Sequence, residues 1–165
     1  MPNTDLVGRA STGDKNAWRE LVARHTPLVW AVIRAHRLHG ADAADVMQST
    51  WAALAENLPR LRRPERLPAW LATTARRECV RVLLQARREV LGEDVEPRTP
   101  PAFHSDDERL VWEALGSLPR RCRELLSLVV HAPELTYVQV SRALGIEVAS
   151  VSRTRGRCVD QLRRR

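Results

Sequence analysis

Five polar side chains near the C-terminus, Ser150, Ser152, Arg153, Arg155 and Arg157, have the types and spacing that recognise nucleic acid. Arginine forks match guanine edges and phosphate oxygens, and serine hydroxyls serve bases or backbone, so the chemistry is non-covalent reading of a duplex. A second array lies upstream, with Arg60, Arg62, Arg63 and Arg66 in the proline-punctuated stretch PRLRRPERLP. Trp70, Arg77 and Arg81 follow on a helical pattern. An arginine loop beside an arginine-striped helix makes a phosphate-binding surface, the alternative being ordinary surface charge. Asp45, Gln48 and Ser49 share one side of another helical stretch, a face that on its own pattern fits plain solvation.

Covalent chemistry finds no constellation. The sequence has no G-x-S-x-G elbow, Walker loop or dinucleotide fingerprint. His25, His36 and His39 lie near one another, but no cysteine or carboxylate completes a metal-ligand set at familiar spacing, so they are expected at the surface. No cofactor and no metal is expected. Asp42 and Asp45 share a helix side, and capping accounts for the first. Cys79, Cys122 and Cys158 are odd in number and far apart, which implies no disulfide framework; each sits among apolar helical positions as a small core residue.

The elements that must position these arrays are all helical, because no segment alternates apolar and polar residues for the length of a strand. Residues 4–39 read as helix with a hesitation at Thr26-Pro27, where Asp14 can cap and Trp18, Leu21, Leu28 and Ile33 form the apolar stripe. Ala41 to Leu58 is a second helix, capped by Asp42, with Met47, Trp51, Leu54 and Leu58 inward. Leu67 to Arg88 is a third. From Glu89 the period dissolves into prolines and acids, which marks a linker. Ser105 or Asp106 then caps a helix with Leu110, Val111, Ala114 and Leu115 inward, and Pro119 begins another with Cys122, Leu125, Leu126 and Val129 inward. In LTYVQVSRALGIEVASVSRTRGRCVDQLRRR, Thr136 and Gln139 make a capping box and Gly145 permits the turn. Val140, Leu144 and Val151 lock two helices into a helix-turn-helix, for which an ordinary helical hairpin is the alternative. The expected fold is all-α: two small helical domains, 1–88 and 105–165, joined by a flexible acidic linker, 89–104, with the helix-turn-helix at the C-terminus.

Charge supports the division. Residues 1–88 carry 15 Arg plus Lys against 8 Asp plus Glu, residues 89–117 carry 2 against 8, and residues 118–165 carry 10 against 4, giving +7, −6 and +6. Two basic blocks around an acidic one point to a polyanion touched at two places. The start MPNTDLVGRAS has no apolar signal region and no run reaches membrane-spanning length, so a cytoplasmic protein without membrane insertion is expected.

Together these stretches resemble bacterial sigma factors of the extracytoplasmic-function group. DAADVMQSTWAAL, residues 42–54, is similar to the helix that in those factors grips the clamp helices of the RNA polymerase β′ subunit. LPAWLATTARRECVRVL, residues 67–83, is similar to their minus-ten helix, and LPRRCRELLSLVV with the helix-turn-helix is similar to their region four. The resemblance implies that Asp45, Gln48 and Ser49 contact core polymerase. It makes the Pro59–Arg66 loop, with Arg60, Arg62, Arg63 and Arg66, a wall for a base flipped from the nontemplate strand, Trp70 the main aromatic nearby, and Arg77 and Arg81 backbone contacts. It gives Ser150, Ser152, Arg153, Arg155 and Arg157 the minus-thirty-five element.

The partners implied are core polymerase, through the β′ clamp helices and β flap, and promoter DNA as duplex and as nontemplate single strand; the group also leaves room for an anti-sigma factor. Two departures stand out. Thr154 occupies a position where many members carry arginine, and Glu147 stands where serine or threonine caps the recognition helix, a cap weaker by about 0.5–1 kcal/mol. The competing functions are a stand-alone helix-turn-helix regulator of duplex operators, disfavoured by an N-terminal module with no sensing or dimerisation pattern, and a small metal-dependent enzyme, disfavoured by the missing ligand set.

Overall fold

Asp14 begins the helix on which the others pack. Its carboxylate accepts from the backbone N–H of Asn16 and Ala17 at 2.9 and 3.1 Å, filling two of the donors a helix start leaves open. In the computed structural model, which describes residues 1–90, 103, 105–131, 133 and 135–164, this helix is α2 (Lys15–Ala35), preceded by the short α1 (Asn3–Ser11). α2 continues through Pro27 as one helix, and the break in residues 4–39 falls at 12–14 instead.

α2 ends in a Schellman motif: the N–H of Leu38 reaches the carbonyl of Ile33 and that of Arg37 reaches Arg34. Arg37 occupies the left-handed position with φ 58°, a place glycine usually fills. α3 (Gly40–Asn57) follows with His39, not Asp42, as its N-cap, and Asp42 lies one turn in, where a negative charge suits the helix dipole. Two 3-10 turns, Leu58–Arg60 and Pro64–Arg66, each with proline in the first turn, lead into α4 (Leu67–Val90). The expected linker falls mostly on residues 91–102 and 104, outside the described residues.

The C-terminal part holds α5 (Asp106–Gly116), α6 (Arg120–His131), α7 (Tyr137–Leu144) and α8 (Val148–Arg163). No strand occurs among the described residues. α2 is the hub, against which α1, α3, α4 and α6 pack, while α7 packs on α4 and α8 lies chiefly on α6 and α7. A continuous apolar core runs from Leu6 through Leu21, Ile33, Leu54, Leu71 and Leu125 to Val151. Leu110 and Val111 were expected inside but are exposed, because α5 turns Trp112 and Leu115 inward instead. His25 and His36, expected at the surface, are buried, since the helix stripe to which they belong faces this core.

Candidate nucleic-acid interface

The helix-turn-helix is built as its residue types dictate. The Thr136 hydroxyl accepts from the Gln139 N–H at 3.2 Å and the Gln139 side chain accepts from the Thr136 N–H at 2.9 Å, closing the capping box. Gly145 ends α7 at φ 67°, where a Cβ would be strained, and the Ser141 hydroxyl donates to the Ile146 carbonyl across the turn. Val140, Leu144 and Val151 are buried between the helices. With Val151 and Cys158 inward, α8 turns Ser152, Arg153, Arg155 and Arg157 to solvent; Ser150 and Thr154 are half-buried. Glu147 caps α8 with its backbone alone, without a side-chain hydrogen bond, as its departure from serine or threonine implied.

The arginine loop is shaped by its apolar anchors. Leu58 and Leu67 are buried at its two ends, which leaves Arg60, Arg62 and Arg63 exposed and Arg66 half-buried. Desolvation first, and then the positive charges of Arg142 and Arg63, lower the pKa of Arg66, so three guanidinium groups share one neighbourhood. Such a cluster favours an anion. Trp70 is half-buried at the start of α4, and Arg77 and Arg81 are exposed further along, Arg81 making a surface pair with Glu78 at 2.9 Å. That pair is weak enough to exchange for phosphate. On α3, Asp45 and Gln48 are exposed and Ser49 is half-buried, opposite the buried Val46, Thr50 and Leu54.

Sequence reasoning missed a polar junction between α2, α4 and α6. Glu124 of α6 is 4% exposed, and its Oε1 lies 3.1 Å from His36 Nε2, 3.3 Å from Arg76 Nε and 3.1 Å from Arg120 Nε. Arg123 donates to the carbonyl of Ala35 at 3.1 Å. The Arg37 guanidinium lies 5.0 Å above the Trp112 ring and fills the space a Cβ at Gly116 would take. Apart from Arg120–Glu124, an i,i+4 pair on α6, no local pattern announces these contacts, whose members are 48 to 88 residues apart in the chain. The cavity beside them, lined by Val32, Ala72, Arg76, Glu124, Leu128 and neighbours, has about 10 Å³ of room, the lower limit for one water. Among the described residues no group of three His, Cys, Asp or Glu could hold a metal, and no helix is long and apolar enough to cross a membrane.

Cys122 and Cys158 are joined as a disulfide, which corrects the reading of three separate core cysteines; only Cys79 stands alone. The pairing joins the inward faces of α6 and α8, a juxtaposition that depends on tertiary packing and not on spacing.

Residues 21–89 match the family model described as Sigma-70 region 2. No curated protein matches the chain. Among solved structures it is similar to CnrH in complex with the cytosolic domain of CnrY, at 24% identity and a TM-score of 0.70 over 95% of this chain and 92% of that one. It is also similar to the sigma factor RpoE in complex with the anti-sigma factor NepR from Bartonella quintana, at 22% identity and a TM-score of 0.69 over 91% and 96%. The match to Sigma-70 region 2 thus covers most of α2, all of α3 and nearly all of α4, and over almost its whole length the chain shares its fold with CnrH and the sigma factor RpoE.

Proposed function

We propose that this protein is a sigma factor of the extracytoplasmic-function type and that it divides its work between two modules. Residues 1–88 bind core polymerase at the β′ clamp helices through Asp45, Gln48 and Ser49. The same module holds the unpaired nontemplate strand of the minus-ten element with Arg60, Arg62, Arg63, Arg66, Trp70, Arg77 and Arg81. Residues 105–165 sit at the β flap and read the minus-thirty-five element from Ser150, Ser152, Arg153, Arg155 and Arg157, with residues 89–104 as the linker. The observation that carries this reading is the pairing, in one chain, of an exposed arginine face on α8 with an exposed arginine loop ahead of α4. The factor does no covalent chemistry; it positions polymerase and captures bases once they unstack. We place it in the cytoplasm, where its polymerase and DNA are, and give it an anti-sigma partner, as the RpoE neighbour has.

Geometry adds a requirement. Elements about 25 base pairs apart are separated by roughly 85 Å of duplex at about 3.4 Å per pair. A packed chain of this length has a radius of gyration of about 15 Å and spans roughly 40 Å. The packing of α6 on α2 and of α7 on α4 must therefore open on the promoter. Run-off transcription with core polymerase on genomic fragments, followed by start-site mapping, tests the function. Starts that share two motifs at fixed separation support it, and no added transcription over core alone overturns it.

A further inference from the structure

The Cys122–Cys158 disulfide has no part in the recognition just described. Cys122 lies in the first turn of α6 and Cys158 follows Arg157 on α8, with their Cα atoms 5.3 Å apart, inside the range that a disulfide spans without backbone movement. The bridge thus ties the recognition helix to α6 from the side opposite its groove-facing arginines. Cys122 is the more accessible of the two, 8% exposed against 1% for Cys158, so an oxidant reaches it first. Cys79 is the contrast: burial, and then the charge of Glu124, push its thiol up to about 12, and no second cysteine is within reach. Oxidation chemistry is thereby confined to the C-terminal module.

That module is where a cross-link matters. Parted from α2 and α4, residues 105–165 keep only a small core around Leu125, Leu128, Leu144 and Val151. Chains below about 70–80 residues rarely hold together on such a core without a staple. A bridge closing a loop of sequence separation 36 restricts the unfolded chain and holds α8 in place. In reducing compartments such bridges are typically transient and sense oxidants.

We propose that Cys122 and Cys158 are a thiol–disulfide site through which peroxide-class oxidants stabilise the opened helix-turn-helix module and strengthen its reading of the upstream promoter element. The Cys122 thiolate attacks the peroxide O–O bond, forming a sulfenic acid and, once the departing hydroxide takes a proton, water. The Cys158 sulfur then displaces the second oxygen as water, so two thiols and one peroxide give one disulfide and two waters. A dithiol reductant returns both thiols by exchange. The effect on promoters rests on the function proposed above; the thiol chemistry does not.

The test uses the full chain, reduced with dithiothreitol, then treated with stoichiometric hydrogen peroxide, denatured and alkylated with iodoacetamide. The expected product is lighter by two hydrogens before alkylation, takes one alkyl group, at Cys79, and yields a Cys122–Cys158 peptide on mapping. Hydrogen exchange of the amides in α6 to α8 should slow by about tenfold or more in the oxidised chain. With core polymerase, peroxide should raise transcription from promoters that need the upstream element. Cys79→Ser should keep the response, and the pair Cys122→Ala with Cys158→Ala should abolish it. If all three cysteines remain open to alkylation after peroxide, the site is wrong, and this result needs no variant. A bridge that forms with no change in exchange or transcription overturns the regulatory role. Absence of transcription in both redox states, with the bridge forming normally, counts against the sigma-factor reading and not against the site.

Discussion

His36, the C-cap of α2, holds its Nε2 3.1 Å from the Glu124 Oε1 of α6, and the two are only 5% and 4% exposed. The other ring nitrogen of His36 meets the Val32 carbonyl at 2.8 Å, so the imidazole is fixed from both sides. Burial pushes the Glu124 carboxyl up, but the hydrogen bond from His36 and the charges of Arg76 and His36, with Arg120, outweigh it and leave its pKa lowered. A carboxylate so held contributes stability above its ordinary value of 4.5, and that contribution is lost as pH falls through the lowered value.

Glu124→Gln should therefore cost about 2 kcal/mol in urea unfolding at neutral pH. A fully buried pair would lose more, but the Arg76 and Arg120 side chains are 36% and 46% exposed and regain water. The gap between variant and wild type should narrow in acid. Equal urea midpoints at pH 7 would show that the junction contributes nothing to the packing of α6 on α2.

A second pH dependence comes from His25, which is 2% exposed, with Nε2 3.2 Å from the Asn3 Oδ1 and Nδ1 without a partner. Burial first, and then Arg24, lower its pKa from 6.5 to about 4. The folded state thus refuses a proton that the unfolded state accepts, so its full contribution stands above pH 6.5 and declines as pH falls toward 4. The loss reaches about 3 kcal/mol, and His25→Gln should remove most of it. Stability profiles of equal slope over this window, measured by denaturant unfolding of both proteins, would contradict the assignment.

What the sequence disclosed and what it hid divide along physical lines. The capping box at Thr136, the turn at Gly145 and the exposed faces of α3 and α8 depend on residues a few places apart, whose types are sufficient to specify them. The junction at Glu124 and the Cys122–Cys158 bridge depend on which helices meet, and residue types alone do not say this. Leu110 and Val111 failed for the same reason, since the aromatic Trp112 found the Arg37 guanidinium and took the inward face of α5. Asp42 failed locally, because α3 already begins at Gly40 and the cap position falls on His39, whose side chain makes no capping hydrogen bond.

The α3 face offers a clean separation of binding from folding. Asp45 and Gln48 are both exposed, so replacing the pair with alanine removes little packing, and surface changes of this kind stay within about 0.5 kcal/mol of wild type. Co-purification with core polymerase should nevertheless be abolished while the melting temperature holds. Retained binding by the double variant would move the polymerase contact elsewhere.

Arg157 separates base reading from charge. It is exposed on α8 one residue before the bridged Cys158, which fixes the helix beneath it while leaving its guanidinium to solvent. If it pairs with a base edge, Arg157→Ala should weaken binding of the holoenzyme to its own upstream element by about 1–3 kcal/mol and relax the preference at one position. A phosphate contact would instead weaken every sequence alike and reduce the salt slope by about one ion. Competition binding of wild type and variant on the mapped promoter and on a set with single substitutions distinguishes the two, and a uniform loss across that set assigns Arg157 to the backbone.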